Sequence, residues 1–340
     1  MNPARKTRAR NVVFGILRAV IGVTLLVYLG TSGLIKWKSL LGLAQAWPLT
    51  LAALVGLIIA FYIAAWRLAI LMAAPGLHLT FGASLRLTLI GQFFSTFLPG
   101  GTSGDMMKIY YAARGNEGRR TEVATIMLFD RAVGMFALLL FPLLLVPFFP
   151  QLVAASPALR RILLVAASIA VAMLAGFLLC LSTRVRNSRL LLWLFRKMPL
   201  GAYAERMFDA VHGFGDHPGA LLGSVVISLM GHVISAGTVI ILAIATGGVV
   251  RSAEVSMLVP IGFLANTLPL TPGGLGVGEA AFSRLFRLAH IATGAEALLG
   301  WRLLTTLISL PGLIYYLQGR QQFIQVKKES DDAERLQLKV

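Results

Sequence analysis

The sequence predicts an all-α polytopic membrane protein, with about six full spans and two re-entrant broken helical hairpins arranged as inverted repeats. Three observations carry this expectation. Of the 340 residues, 57% are hydrophobic and 13% charged, with a mean hydropathy of +0.79, more apolar side chain than a soluble protein can hide. Apolar runs of about 20 residues or more recur, long enough to cross a bilayer. Two further apolar stretches are each interrupted by a Pro-Gly-Gly segment.

The expected spans fall near residues 12–34, 48–74, 122–149, 159–181, 219–246 and 296–317. The first follows the basic start "MNPARKTRAR", which resembles a signal peptide, but its apolar run is long and no small-x-small cleavage site follows, so it is read as a transmembrane helix. The broken stretches are 81–114 and 255–290. Between the fourth and fifth spans, residues 182–218 carry six Lys and Arg around "LLLWLF", the pattern of a basic amphipathic helix on the inner surface. The tail 318–340 is charged and expected to be mobile. The chain is thus one membrane domain: a first repeat at 48–149, a linking span and basic segment at 150–218, a second repeat at 219–317, and the tail.

Charge sets the orientation. With a cytoplasmic N-terminus and both broken stretches re-entrant, the inner segments hold 18 Lys and Arg and the outer segments 5. That bias places both termini in the cytoplasm of an inner (plasma) membrane. Two full crossings per broken stretch would keep the same bias, so charge alone leaves re-entry and full spanning open. The net charge of +17 is a matter of sidedness and implies no nucleic-acid partner. The lone Cys180 rules out an internal disulfide and a cysteine metal site. No H-E-x-x-H and no G-x-x-x-x-G-K-[ST] occurs, so neither a metal nor a nucleotide cofactor is expected.

The broken motif occurs twice. "FFSTFLP" (93–99) aligns without gaps on "FLANTLP" (263–269). Gly100-Gly101 and Gly273-Gly274 follow, then Gly104-Asp105 and Gly278-Glu279, then a span bearing Arg131 or Arg302. In the orientation above, the first hairpin enters from the cytoplasm and the second from outside. Inverted repeats with interrupted helices are a recurrent transporter plan, with the substrate site between them. Irregular backbone at membrane depth is tolerated only where protein or a watery cavity shields it. The glycines reverse the chain, Pro99 and Pro272 stop helices, and each second half-helix points its free N–H groups to mid-membrane, a setting suited to phosphate.

"FLPGGTSGDMMKIYYAAR", "DRAVG" and "PLTPGGLGVGEAAF" resemble the membrane region of lysylphosphatidylglycerol synthases and their stand-alone flippase-like relatives, over roughly residues 12–318. The resemblance implies movement of a phospholipid between leaflets. By motif match it attaches that role to Pro99, Gly100, Gly101, Asp105, Arg131, Gly273, Gly274, Glu279 and Arg302. The full-length synthases carry a soluble aminoacyl-transferase domain after this region, and residues to Val340 offer no room for one, so lysyl transfer is not expected. The implied partners are membrane lipids with anionic or phosphate headgroups, a second copy of the chain, and a separate lipid-modifying enzyme.

Each candidate residue has a plainer reading. Asp105 and Glu279 bind headgroup or coupling ion, or are acids in a helix's first turn. Asp130 with Arg131 binds substrate, or is an internal ion pair. Lys108, in the first motif, joins the translocation set. His232, near the middle of its span, relays protons or bonds a neighbouring helix. Thr96 and Asn266, aligned within one position, contact a headgroup or cap freed carbonyls. Arg18, Arg67 and Arg86 are expected to snorkel to the inner surface. Three functions stay open: a lipid translocase, an ion- or proton-coupled transporter of a small polar solute, and a membrane enzyme acting on a lipid-linked substrate.

Overall fold

The computed structural model describes residues 24, 31, 37–77, 79–97, 103–114, 116, 118–189, 193, 197, 201–250, 253–267, 271 and 274–337, with side chains as far as residue 318. Among these residues the fold is all helical. Ten helices matter here: α1 (Trp47–Ala73), α2 (Phe81–Phe97), α3 (Ser103–Arg114), α4 (Arg120–Leu145), α5 (Pro157–Leu181), α6 (Gly201–His212), α7 (Pro218–Ala245), α8 (Val255–Asn266), α9 (Val277–Leu288) and α10 (Gly294–Gln337).

Five of them are long and apolar enough to cross a membrane: α1, α4 (extended by one 3₁₀ turn to Phe148), α5, α7, and α10 as far as Gln318. They match five of the six expected spans within about two residues at each end. The sixth, 12–34, lies outside the described residues except for positions 24 and 31. Local signals set several ends. Proline occupies the first turn of α1, α5 and α7, where its missing N–H costs nothing. Ser156 caps α5, its Oγ accepting from Leu159 N at 3.3 Å. α7 closes in a Schellman-type turn, Gly247 at φ +90° and Gly248 N donating to Ala243 O at 2.8 Å.

The spans wear their apolar residues outward as well as inward. On α1, Ala53, Leu57, Ala65, Leu68, Leu71 and Met72 are buried, while Leu51, Val55, Ile58, Ile59, Tyr62 and Trp66 are exposed on the opposite face. α5 exposes Leu164, Val171 and Leu178 to a similar degree. Such contiguous apolar faces belong against lipid.

The packing repeats itself. α1–α2, α2–α3, α3–α4 and α1–α4 contacts recur as α7–α8, α8–α9, α9–α10 and α7–α10. Contacts between the halves are also matched: α2 packs on α10 as α8 packs on α4, and α4 packs on α7 as α10 packs on α1. α1 and α7 form the most extensive interface. They run antiparallel: Gly56 lies under Thr238, Gly231 lies under Ile63, and Arg67 reaches Ser228.

Beyond the last span, α10 continues through Gln337. The basic amphipathic helix expected around "LLLWLF" lies largely outside the described residues. The described residues of the segment 182–218 include a short helix, Thr183–Arg186, and α6, whose polar face is partly acidic. Arg186 is paired with Glu205 at 3.2 Å and with Asp209. The carboxylates hold its guanidinium above its ordinary range, the Asp209 hydrogen bond being the larger cause.

Candidate functional site: paired charges behind two broken hairpins

Pro99, Gly100, Gly101, Pro272 and Gly273 lie outside the described residues, but the helices flanking both breaks are in place. Each hairpin is held shut by glycine. A Cβ on Gly104 would collide with the Gly91 carbonyl and Ser95 Oγ, so α2 and α3 cross backbone to backbone. In the second hairpin a Cβ on Gly278 would meet Asn266 Oδ1, and would lie 2.9 Å from Leu298 Cδ2 and 3.0 Å from Arg302 Nη2. Gly274 sits at φ +70° against Asn266, a conformation and a closeness that only glycine accepts.

Behind each hairpin an arginine meets that hairpin's own acid. Arg131 on α4 pairs with Asp105 in the first turn of α3. Arg302 on α10 donates from Nε to Glu279 Oε1 at 2.6 Å and from Nη2 to Asn266 Oδ1 at 2.6 Å. Glu279 Oε2 also accepts from Gly276 N at 2.6 Å, the return half of a capping box at the start of α9. Glu279 therefore fits the plain reading, an acid in a helix's first turn, while also forming an ion pair. The pairs differ in burial. The Glu279 side chain is fully buried, whereas Asp105 and Arg131 are 28% and 38% exposed.

Arg67 does not snorkel. Its Nε donates to Asp130 Oδ1 at 2.7 Å, Nη2 to Oδ2 at 3.1 Å, and Nη1 to Ser228 Oγ at 3.0 Å. This bidentate geometry fixes the guanidinium between α1, α4 and α7. A side chain at Gly134 would fall 2.9 Å from Arg67 Nη1, so α4 makes room for it. His232 Nε2 bonds the Gly134 carbonyl at 3.2 Å, beside the same pair. The adjacent Asp130 and Arg131 thus serve different partners rather than each other. Arg86 stays near the N-terminal end of α2, 5.5 Å from the centroid of Tyr315; Arg18 lies outside the described residues.

Thr96 is exposed and bonds back to Gln92 O at 2.9 Å on its own helix. The side chain that matches Asn266 is Ser95: each faces the Gly-acid glycine of its hairpin, Gly104 or Gly278. Ser95, Arg67, Ser228 and Gly134 are the members that motif reading missed. Ser95 was legible, since a register of 171 residues aligns it with Asn266 just as it aligns Arg131 with Arg302. Lys108 lies with its stem across Gly91, its Cγ 2.7 Å from where a Cβ on that glycine would stand. No cluster of three or more metal-ligating side chains occurs among the described residues.

The profile of one protein family, described as the lysylphosphatidylglycerol synthase TM region, covers residues 15–312. The chain belongs to this family. The match includes both hairpins, both acid–arginine pairs and all of α1 to α9. No curated protein and no solved structure gives a significant match. The shared region is the family's membrane part, which makes a lipid-related membrane role the coarse statement of function.

Proposed function

We propose that the protein is a lipid translocase that moves a phospholipid, or another lipid with a polar headgroup, between leaflets through a polar groove between two inverted halves. One observation carries this: each half sets one acid–arginine pair, Asp105–Arg131 or Glu279–Arg302, behind its own broken hairpin at matching positions. An anionic headgroup cannot cross hydrocarbon alone, because burying an unpaired charge costs at least several kcal/mol. A guanidinium already held by a carboxylate offers an exchange. The arriving phosphate takes the arginine's hydrogen bonds while the acid is released to a half-helix N-terminus, so no charge stands alone at any stage. The family membership and the matched contacts of the two halves support the reading, as does the charge bias, the pattern expected of a protein with both termini in the cytoplasm.

Reconstitution tests it. Purified protein in liposomes is given fluorescent phosphatidylglycerol or phosphatidylcholine, and a membrane-impermeant quencher reports the outer leaflet. Exchange of the inner-leaflet probe is expected, faster for the anionic lipid. No exchange of any headgroup, together with uptake of a polar solute driven by a proton gradient, would favour the coupled transporter instead.

A further inference from the structure

The two hairpins are closely matched, and one position breaks the match. In the second hairpin the ring of Phe282 fills the space over Gly262; a Cβ there would lie 2.5–2.8 Å from the ring. In the first hairpin the corresponding pair is Gly91 and Lys108, with Lys108 Cγ 2.7 Å from where a Cβ would stand. Both helix pairs therefore use a glycine hole and a knob three residues after the acid. Phe282, fully buried, shows that an apolar knob satisfies the packing. A lysine in that place adds a charge that the fold does not require. The residue before the arginine differs in the same sense: Asp130 in the first half stands where the second has Trp301.

Charge counting sharpens the asymmetry. Around the first hairpin, Arg67, Lys108 and Arg131 face two carboxylates, Asp105 and Asp130, and both carboxylates are taken by the arginines. The second has Arg302 against Glu279. Of the five groups around the first hairpin, Lys108 is the cation that makes no hydrogen bond or ion pair with a described residue. Lys108 lies midway along α3, on the same leg that begins with Asp105, so an anion released from the Asp105–Arg131 pair is within a helical turn of it.

We infer that Lys108 is the receiving cation for a phosphate carrying one net negative charge, as in a phosphodiester, on the first-hairpin side of the path. This rests on the translocase reading for its biological setting, but its test is a binding measurement. An ammonium is suited to transient contact, since it binds as a point charge and imposes no fork geometry on the departing phosphate.

The full chain, in nanodiscs of phosphatidylcholine, is titrated with fluorescent phosphatidylglycerol, comparing wild type with Lys108→Met, Lys108→Gln and Lys108→Arg. Loss of one charge-assisted contact should weaken binding by roughly tenfold to a hundredfold in both neutral variants, with Lys108→Arg staying within a few-fold of wild type. Competition by inorganic phosphate would assign the site to the free anion; absence of competition would assign it to the lipid headgroup. Methionine should fold, because the matching position accepts an apolar side chain; glutamine gives a second neutral test if it does not. Equal affinity in wild type and a folded neutral variant would overturn the assignment even if the protein moves lipid. A wild type that binds the probe through Lys108 yet moves no lipid would leave this site standing and overturn the translocase.

Discussion

Arg131 and Arg302 look equivalent in sequence, and their surroundings separate them. Glu279 is fully buried, so Arg302→Ala strands a carboxylate away from water, a change that costs about 3–5 kcal/mol in a buried pair. The partly exposed Asp105–Arg131 pair is worth roughly 1 kcal/mol or less after screening. Thermal unfolding in detergent should therefore drop sharply for Arg302→Ala and little for Arg131→Ala. Glu279→Gln combined with Arg302→Met should recover much of the loss; a double variant no better than Arg302→Ala would mean that the pair is not the cause. Arg131→Ala is the cleaner functional probe, expected to slow anionic lipid exchange while the protein stays folded. At the start of α4, Glu122 raises the Arg119 guanidinium above its ordinary range, chiefly through their hydrogen bond. The stability from this shift is present below arginine's ordinary value and is lost only as pH rises through the raised one. Arg119 and Arg186 should thus stay charged, with no loss of stability from either arginine between about pH 5 and 9. The partners of these arginines were not legible, because an acid and a base brought together from two helices share no local spacing. Asp130 next to Arg131 even suggested the wrong pair: neighbours on a helix point about 100° apart, and each found its partner on another helix.

Helix positions were legible where length and apolarity decide them, which is why five spans fall close to expectation. The hairpins depend instead on close approach. Gly104→Ala pushes a methyl group into the Gly91 backbone, and Gly312→Ala does the same to the Leu89 carbonyl where α10 crosses α2. Neither backbone can give way cheaply, so each should destabilise by about 1–3 kcal/mol. Gly91→Ala meets only the flexible Lys108 stem and should cost less. Melting temperatures ranked with Gly91→Ala below the other two in stability would contradict this account of the hairpin. The ion pairs of the basic segment after α5 were not legible for a related reason. Counting its arginines could not reveal that Glu205 and Asp209 on α6 would turn toward Arg186.

At the scale of the molecule, the proposal depends on the two halves opening to opposite sides of the membrane. The antiparallel α1–α7 crossing and the matched contacts between halves fit that arrangement, and the repeated Pro-Gly-Gly motif made it readable before any coordinates. What sequence could not supply is the break in symmetry, since Lys108 against Phe282 becomes meaningful only when both are seen filling the same glycine hole. Sidedness itself can be measured. With Cys180 replaced by serine, single cysteines are placed at Arg120, exposed at the start of α4 after the first hairpin, and at Ala292, exposed just after the second. A membrane-impermeant maleimide is then applied to intact cells and to inside-out vesicles. The account predicts that Arg120→Cys reacts only in inside-out vesicles and Ala292→Cys only in intact cells. Labelling of both from the same side would contradict the inverted halves, and with them the path proposed for the lipid.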